Sequence, residues 1–177
     1  MESILGLNVL KLRDGNAVRF FDIDGVLCTY AFGEDGIGVD LKNLSYEDFL
    51  KTTNIYQDKN APEFMKFYVS HYCEKSRTFI LSRAYSEEEK KQKIDFVKRN
   101  YPTIDISNII FLEEKNDKPK IAKKILEEKF DTMNTFHYAI DDSIDVLYAY
   151  QKEGILAIHN SSLFVLAKHN LDLKVFD

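Results

Sequence analysis

Ala17-Val-Arg-Phe-Phe-Asp-Ile-Asp-Gly25 runs an apolar segment, Ala17 to Phe21, directly into two carboxylates and a glycine. Segments this short, continuous and rich in β-branched or aromatic side chains fit strands of a parallel sheet covered on both faces. Three more follow, Thr78 to Leu81, Ile109 to Leu112 and Tyr138 to Ile140, with a fifth candidate at Ile155 to Ile158. Between them the pattern turns helical. Ser86-Glu-Glu-Glu89 has the form of a capping box, after which Ile94, Val97 and Tyr101 recur at helical spacing, acidic residues preceding basic ones. Pro119 suits a first helical turn, and Ile121, Ile125 and Leu126 give the segment to about Lys129 an apolar face. Further helices are expected after Ser143 and from about Ala61 to Glu74. Strands alternating with such helices predict an α/β fold, a Rossmann-like three-layer sandwich with a mostly parallel central sheet and right-handed crossovers. Upstream, the apolar stretches on either side of Asp14-Gly15 resemble a hairpin, which predicts an antiparallel edge strand ahead of the core.

The chain has 177 residues, 45% hydrophobic and 13% aromatic, which suits one domain with a substantial core. Thirty per cent charged residues and a mean hydropathy of -0.31 fit a soluble protein, and no Pro-, Gly- or Ser-rich stretch marks a linker. A net charge of -5 and a pI near 5.4 disfavour a nucleic-acid surface, which needs clustered Lys and Arg. Cys28 and Cys73 form no metal-ligand spacing and point to reduced thiols in a cytoplasm. The amino terminus lacks a signal-peptide pattern and no apolar run reaches membrane-span length, so neither secretion nor a membrane is expected. Residues 28–60 exceed the roughly 2–6 residues of an ordinary α/β connection and predict a small cap insertion within the single domain 1–177. Below roughly 40 residues such a segment cannot hold a core of its own, so it is expected to lean on the main domain through Tyr30, Phe32, Tyr46, Phe49 and Tyr56.

In an open parallel sheet, ligands bind beyond the carboxyl ends of the strands, so the residues just after each apolar run carry the chemistry. The first run ends in Asp22-Ile-Asp24-Gly25, the second in Ser82-Arg83 and the fourth in Asp141-Asp142-Ser143. Lys115, Lys118 and Lys120 lie between the third run and its helix. Carboxylates, a hydroxyl and an ammonium group are thereby brought to one edge. Crowded carboxylates repel, and protonation or a bound cation relieves them. All-oxygen donors favour a hard ion such as Mg²⁺. Such an ion, with a Lys and a hydroxyl, can neutralise phosphoryl oxygens while a carboxylate attacks phosphorus.

These residues resemble, in order and over roughly Val18 to Ile158, the four motifs of the haloacid dehalogenase superfamily of phosphohydrolases. FFDIDGVL is similar to the hydrophobic-run-DxDG motif, which implies Asp22 as nucleophile and metal ligand and Asp24 as general acid/base. FILSR supplies Ser82 for the second motif, implying a hydrogen bond to the phosphoryl group. Lys118-Pro119 is the choice for the third, with Lys120 in reserve, and AIDDSID gives an acidic pair for the fourth, with Asp145 at the alternative spacing. The resemblance implies Mg²⁺ held by Asp22, Asp141 and the backbone carbonyl of Asp24, with Asp142 assisting. It implies as substrate a phosphate monoester of a small phosphorylated metabolite, a nucleotide or sugar phosphate among them. Ile140 stands where the fourth motif often has Gly, which suits the acidic-pair subgroup. The second Asp of DxD separates the chain from dehalogenases.

Each feature alone has a plainer reading. A lone DxDG is commonly a turn with solvated carboxylates. Lys115, Lys118, Lys120, Lys123 and Lys124 form a solvated face as readily as a site. Arg83 is either a substrate-binding group for the leaving group or an exposed loop residue. Gly33-Glu-Asp-Gly-Ile-Gly38 lacks the Lys-Ser/Thr of a P-loop and reads as a turn in the cap. The four histidines are scattered without zinc spacing. Cys28 has no adjacent His and reads as structural. A receiver-type phosphoacceptor module also gathers acids, Ser/Thr and Lys around Mg²⁺, but there the acidic pair comes first in the chain. A phosphate-ligand-binding protein without turnover would keep the same motifs.

Overall fold

The computed structural model describes residues 9–28, 56–57 and 61–163. Among them, β1 (Val18–Phe21), β2 (Thr78–Arg83), β3 (Ile109–Leu112), β4 (His137–Asp141) and β5 (Leu156–His159) form one all-parallel sheet in the order β3-β2-β1-β4-β5. The principal helices are α1 (Glu63–Tyr72), α2 (Glu87–Asn100), α3 (Lys118–Lys129) and α4 (Ile144–Lys152). Side chains alternate across each strand, so both faces of the sheet are apolar and both are covered. Phe21, Ile80, Tyr138 and Ile140 pack with Met65 and Val69 of α1 and Phe96 and Val97 of α2. Val18, Phe20, Phe79, Leu81 and Ala139 pack on the other face with Ala122, Ile125 and Leu126 of α3 and Val146 and Tyr150 of α4. The result is the three-layer, Rossmann-like α/β architecture that the alternating pattern specifies.

Ser86 caps α2 by accepting from the Glu89 N–H at 3.1 Å, while the carboxylate of Glu89 accepts from Tyr85 N at 2.7 Å. Pro119 stands in the first turn of α3, where its missing N–H costs no helical bond. Among the described residues the expected antiparallel edge strand does not form. Val9–Leu12 is a helical turn, and the chain bends at Asp14 to enter β1. The cause is Arg19, fully buried within β1. A guanidinium in the interior needs acceptors for its donors. It draws the carbonyls of Leu12 (3.2 Å), Asp14 (2.5 Å) and Ala17 (2.8 Å) around itself and donates to Tyr138 Oη at 2.7 Å. Tyr68 Oη donates to the same Leu12 carbonyl. Carbonyls turned onto a guanidinium are not free for a strand ladder.

The expected cap at 28–60 lies outside the described residues apart from Cys28, Tyr56 and Gln57, as does His169. No helix among the described residues is long and apolar enough to cross a membrane.

Candidate active site

The strand order reverses between β1 and β4, and at such a switch point the loops leave in opposite directions and open a crevice. Asp22 follows β1 and Asp141 ends β4, so the sheet itself sets these two carboxylates side by side. Asp22 Oδ1 accepts from Ile23 N at 2.7 Å, and Asp141 Oδ1 accepts from Ser143 N at 2.9 Å. Each carboxylate keeps its other oxygen for Lys118, whose Nζ lies 2.5 Å from Asp22 Oδ2 and 2.8 Å from Asp141 Oδ2. Lys118 reaches them because it opens α3 at the same edge and is 2% exposed.

Gly25 turns the chain after Asp24 with φ of +73°, a conformation that favours glycine. A Cβ there would stand 2.3 Å from Asp142 Oδ2, so glycine is also what lets the Asp142 carboxylate close on the loop. Asp22, Asp141 and Asp142 each offer an oxygen within 4.8 Å of the others. Burial raises the pKa of Asp22 from 3.8 to about 6; Lys118 opposes that rise, while Asp141 and Asp24 add to it. Burial, then the charge of Asp22, raises Asp142 as well. For Lys118, burial disfavours the charge, but the two carboxylates outweigh it and raise its pKa. Three carboxylates facing one ammonium group leave excess negative charge among hard oxygen donors, a set suited to a divalent cation such as Mg²⁺.

A cleft of about 320 Å³ opens over this cluster, with Asp24, Arg83 and Lys115 also in its wall. Of the residues singled out in the sequence, Asp22, Asp24, Lys118, Asp141 and Asp142 come together there. Arg83 is half-buried in that wall, its guanidinium 4.3 Å from the Tyr85 ring centroid. Ser82 is fully buried at the end of β2 and is not part of the cleft wall. Lys120 points to solvent and pairs with Asp117 at 3.3 Å, and Asp145 is exposed on α4 outside the cleft.

Three residues that no motif indicated complete the site. Lys93 Nζ lies 2.7 Å from Asp24 Oδ2 and 2.9 Å from Glu89 Oε1, and it also contacts Ser82 Oγ at 3.4 Å and the Arg83 carbonyl. Tyr56 Oη donates to Asp24 Oδ1 at 2.7 Å. Burial disfavours the charge on Lys93, and Asp24 and Glu89 outweigh it, so its pKa is raised. The available signal was the spacing of Glu89 and Lys93 with Phe96 and Val97, which places charged and apolar residues on one helical face.

No family model and no curated protein sequence matches the chain. Among solved structures, it is similar to the HAD domain of the effector protein Lem4 from Legionella pneumophila, at 16% identity, covering 92% of this chain and 98% of that one, with a TM-score of 0.42. A likeness of that degree transfers neither activity nor substrate.

Proposed function

We propose that this chain is a Mg²⁺-dependent phosphohydrolase of the haloacid dehalogenase type, cleaving phosphate monoesters of a small phosphorylated metabolite through an aspartyl phosphate on Asp22. The observation that carries this reading is the cluster of Asp22, Asp141 and Asp142 around Lys118 at the switch point of the sheet. A bound Mg²⁺, held by Asp22, Asp141 and Asp142, supplies charge neutralisation for the phosphoryl oxygens. Asp22 Oδ2 is the nucleophile, opening onto the cleft beside Lys118, and Lys118 offsets charge on the transferring group. Asp24 protonates the leaving oxygen and then takes a proton from the water that hydrolyses the aspartyl phosphate, which frees inorganic phosphate and restores Asp22. Arg83 and Lys115 of the cleft wall are the cations available to the leaving group, and buried Ser82 accepts from Lys93. The cleft volume falls within the range of small-molecule sites. The sheet order also favours this reading over a receiver module, whose strands run 2-1-3-4-5.

Phosphate release from a panel of phosphorylated metabolites should vanish in EDTA and return with Mg²⁺. Activity persisting in excess chelator would contradict the metal assignment. A thermal-shift series adds a readout independent of substrate. The folded state holds the Asp22 proton more tightly than the unfolded chain, since its pKa rises from 3.8 to about 6. In metal-free buffer that stabilising contribution is present below the unfolded value and lost as pH rises through about 6. A cation that relieves the ionised cluster should therefore raise the melting midpoint more at pH 7.5 than at pH 5. Equal midpoints with and without Mg²⁺ at pH 7.5 would count against the site.

A further inference from the structure

We infer that Lys93 and Glu89 of α2 form a buried positioning pair that aims the Asp24 carboxylate for proton transfer to the leaving oxygen and from the water that follows. The inference rests on the phosphohydrolase reading and adds a part to it. Lys93 is 1% and Glu89 2% exposed, yet both sit on the helical face that otherwise packs through Phe96 and Val97. Such a pair contributes little net stability, because desolvation consumes most of the Coulombic gain and apolar side chains of similar size serve a core as well. What the pair does accomplish is geometric. Asp24 lies on a loop just before the turn at Gly25, and both of its oxygens are fixed from outside that loop: Oδ2 by Lys93 at 2.7 Å and Oδ1 by Tyr56 at 2.7 Å. Glu89 in turn holds Lys93 at 2.9 Å, accepts from Tyr85 N at 2.7 Å and lies 3.4 Å from Tyr56 Oη. Lys93 also bonds Ser82 Oγ and the Arg83 carbonyl, so one ammonium ties the end of β2 to the loop after β1. The Asp24 side chain remains 27% exposed to the cleft, which leaves it open to a leaving group or a water. A proton-transfer group must be held within hydrogen-bond reach of its target, and this network supplies that restraint.

The test uses the full chain with saturating Mg²⁺ and two esters, glycerol phosphate, whose alkoxide needs a proton on leaving, and p-nitrophenyl phosphate, whose phenolate does not. Glu89→Gln/Lys93→Met removes both members of the pair, so that neither is left as an uncompensated buried charge and Asp24 loses only its restraint from α2, and Lys93→Arg keeps the charge while shifting its donors. In the double variant kcat/KM on glycerol phosphate, which reports the step in which the alkoxide leaves, should fall about 10²-fold, while kcat/KM on p-nitrophenyl phosphate should fall less than about 3-fold. Lys93→Arg should give a smaller loss of the same selectivity, so the ratio of the two rates is the readout even if the double variant fails to fold. A purely structural pair would lower both rates together. Equal losses on the two esters, or no loss in a variant that melts cooperatively, overturns the inference while the phosphohydrolase reading stands. Wild-type protein that releases no phosphate from either ester overturns that reading and the inference with it.

Discussion

Asp22→Asn is expected to lower phosphate release by at least about 10³-fold, because it replaces the attacking oxygen with an amide that cannot form the acyl phosphate. The fold should survive. Asp22 carries a pKa raised to about 6 by burial and by neighbouring carboxylates, so its ionised form is under strain from its surroundings at neutral pH. The neutral amide preserves the shape and removes one of the charges crowded within 4.8 Å. The variant should thus melt at or above the wild-type midpoint in metal-free buffer at pH 7.5, and its gain on adding Mg²⁺ should shrink. Turnover near the wild-type rate would remove Asp22 from the nucleophile's place.

Lys118→Met is expected to damage both activity and stability. Lys118 is the cation shared by Asp22 and Asp141, and its side chain is 3% exposed against 11% and 1% for theirs. Withdrawing one partner from a buried ion pair costs about 3–5 kcal/mol, since the remaining charges lose their compensation. Mg²⁺ should recover part of that loss by taking over the same carboxylates, a recovery readable in chemical denaturation with and without the metal. Activity should remain at least about 10²-fold down even with Mg²⁺, because a charge that meets the transferring group is missing. A variant as stable and active as wild type would place Lys118 outside the site.

The sequence announces its strands well because the central ones, β1, β2 and β4, are buried on both faces and largely apolar; the half-buried edge strand β3 at Ile109–Leu112 is apolar too and has the expected bounds. It announces the acids of the site for the complementary reason, since a parallel sheet presents the residues after its strands, and Asp22 and Asp141 stand there. Arg19 misleads. Its demand for carbonyls is met by Leu12 and Asp14, which no local pattern reveals, and it turns an expected hairpin into a helical turn. Lys93 is hidden by its company. In Glu-Glu-Glu-Lys-Lys-Gln-Lys the polar residues surround the helix on every side, and only the phase set by Phe96 and Val97 shows which of them face inward. Ser82 illustrates strand parity. Residues two apart share a face, so Ser82 lies with Ile80 on the side packed by α2, next to Lys93. The four-residue spacing of Glu89 and Lys93 was visible; its inward direction depended on the packing of α2.

The most direct test of the account is to trap the intermediate. Protein turning over p-nitrophenyl phosphate, whose phenolate leaves without a proton, is quenched in the presence of Mg²⁺ and treated with borohydride, which reduces an acyl phosphate to an alcohol, and its peptides are read by mass spectrometry. An aspartyl phosphate on Asp22 leaves homoserine at position 22 and at no other aspartate, with more of it in Asp24→Asn, where the water that resolves the intermediate lacks its base. Phosphate release with Asp22 unmodified, or modification at a different aspartate, would contradict it.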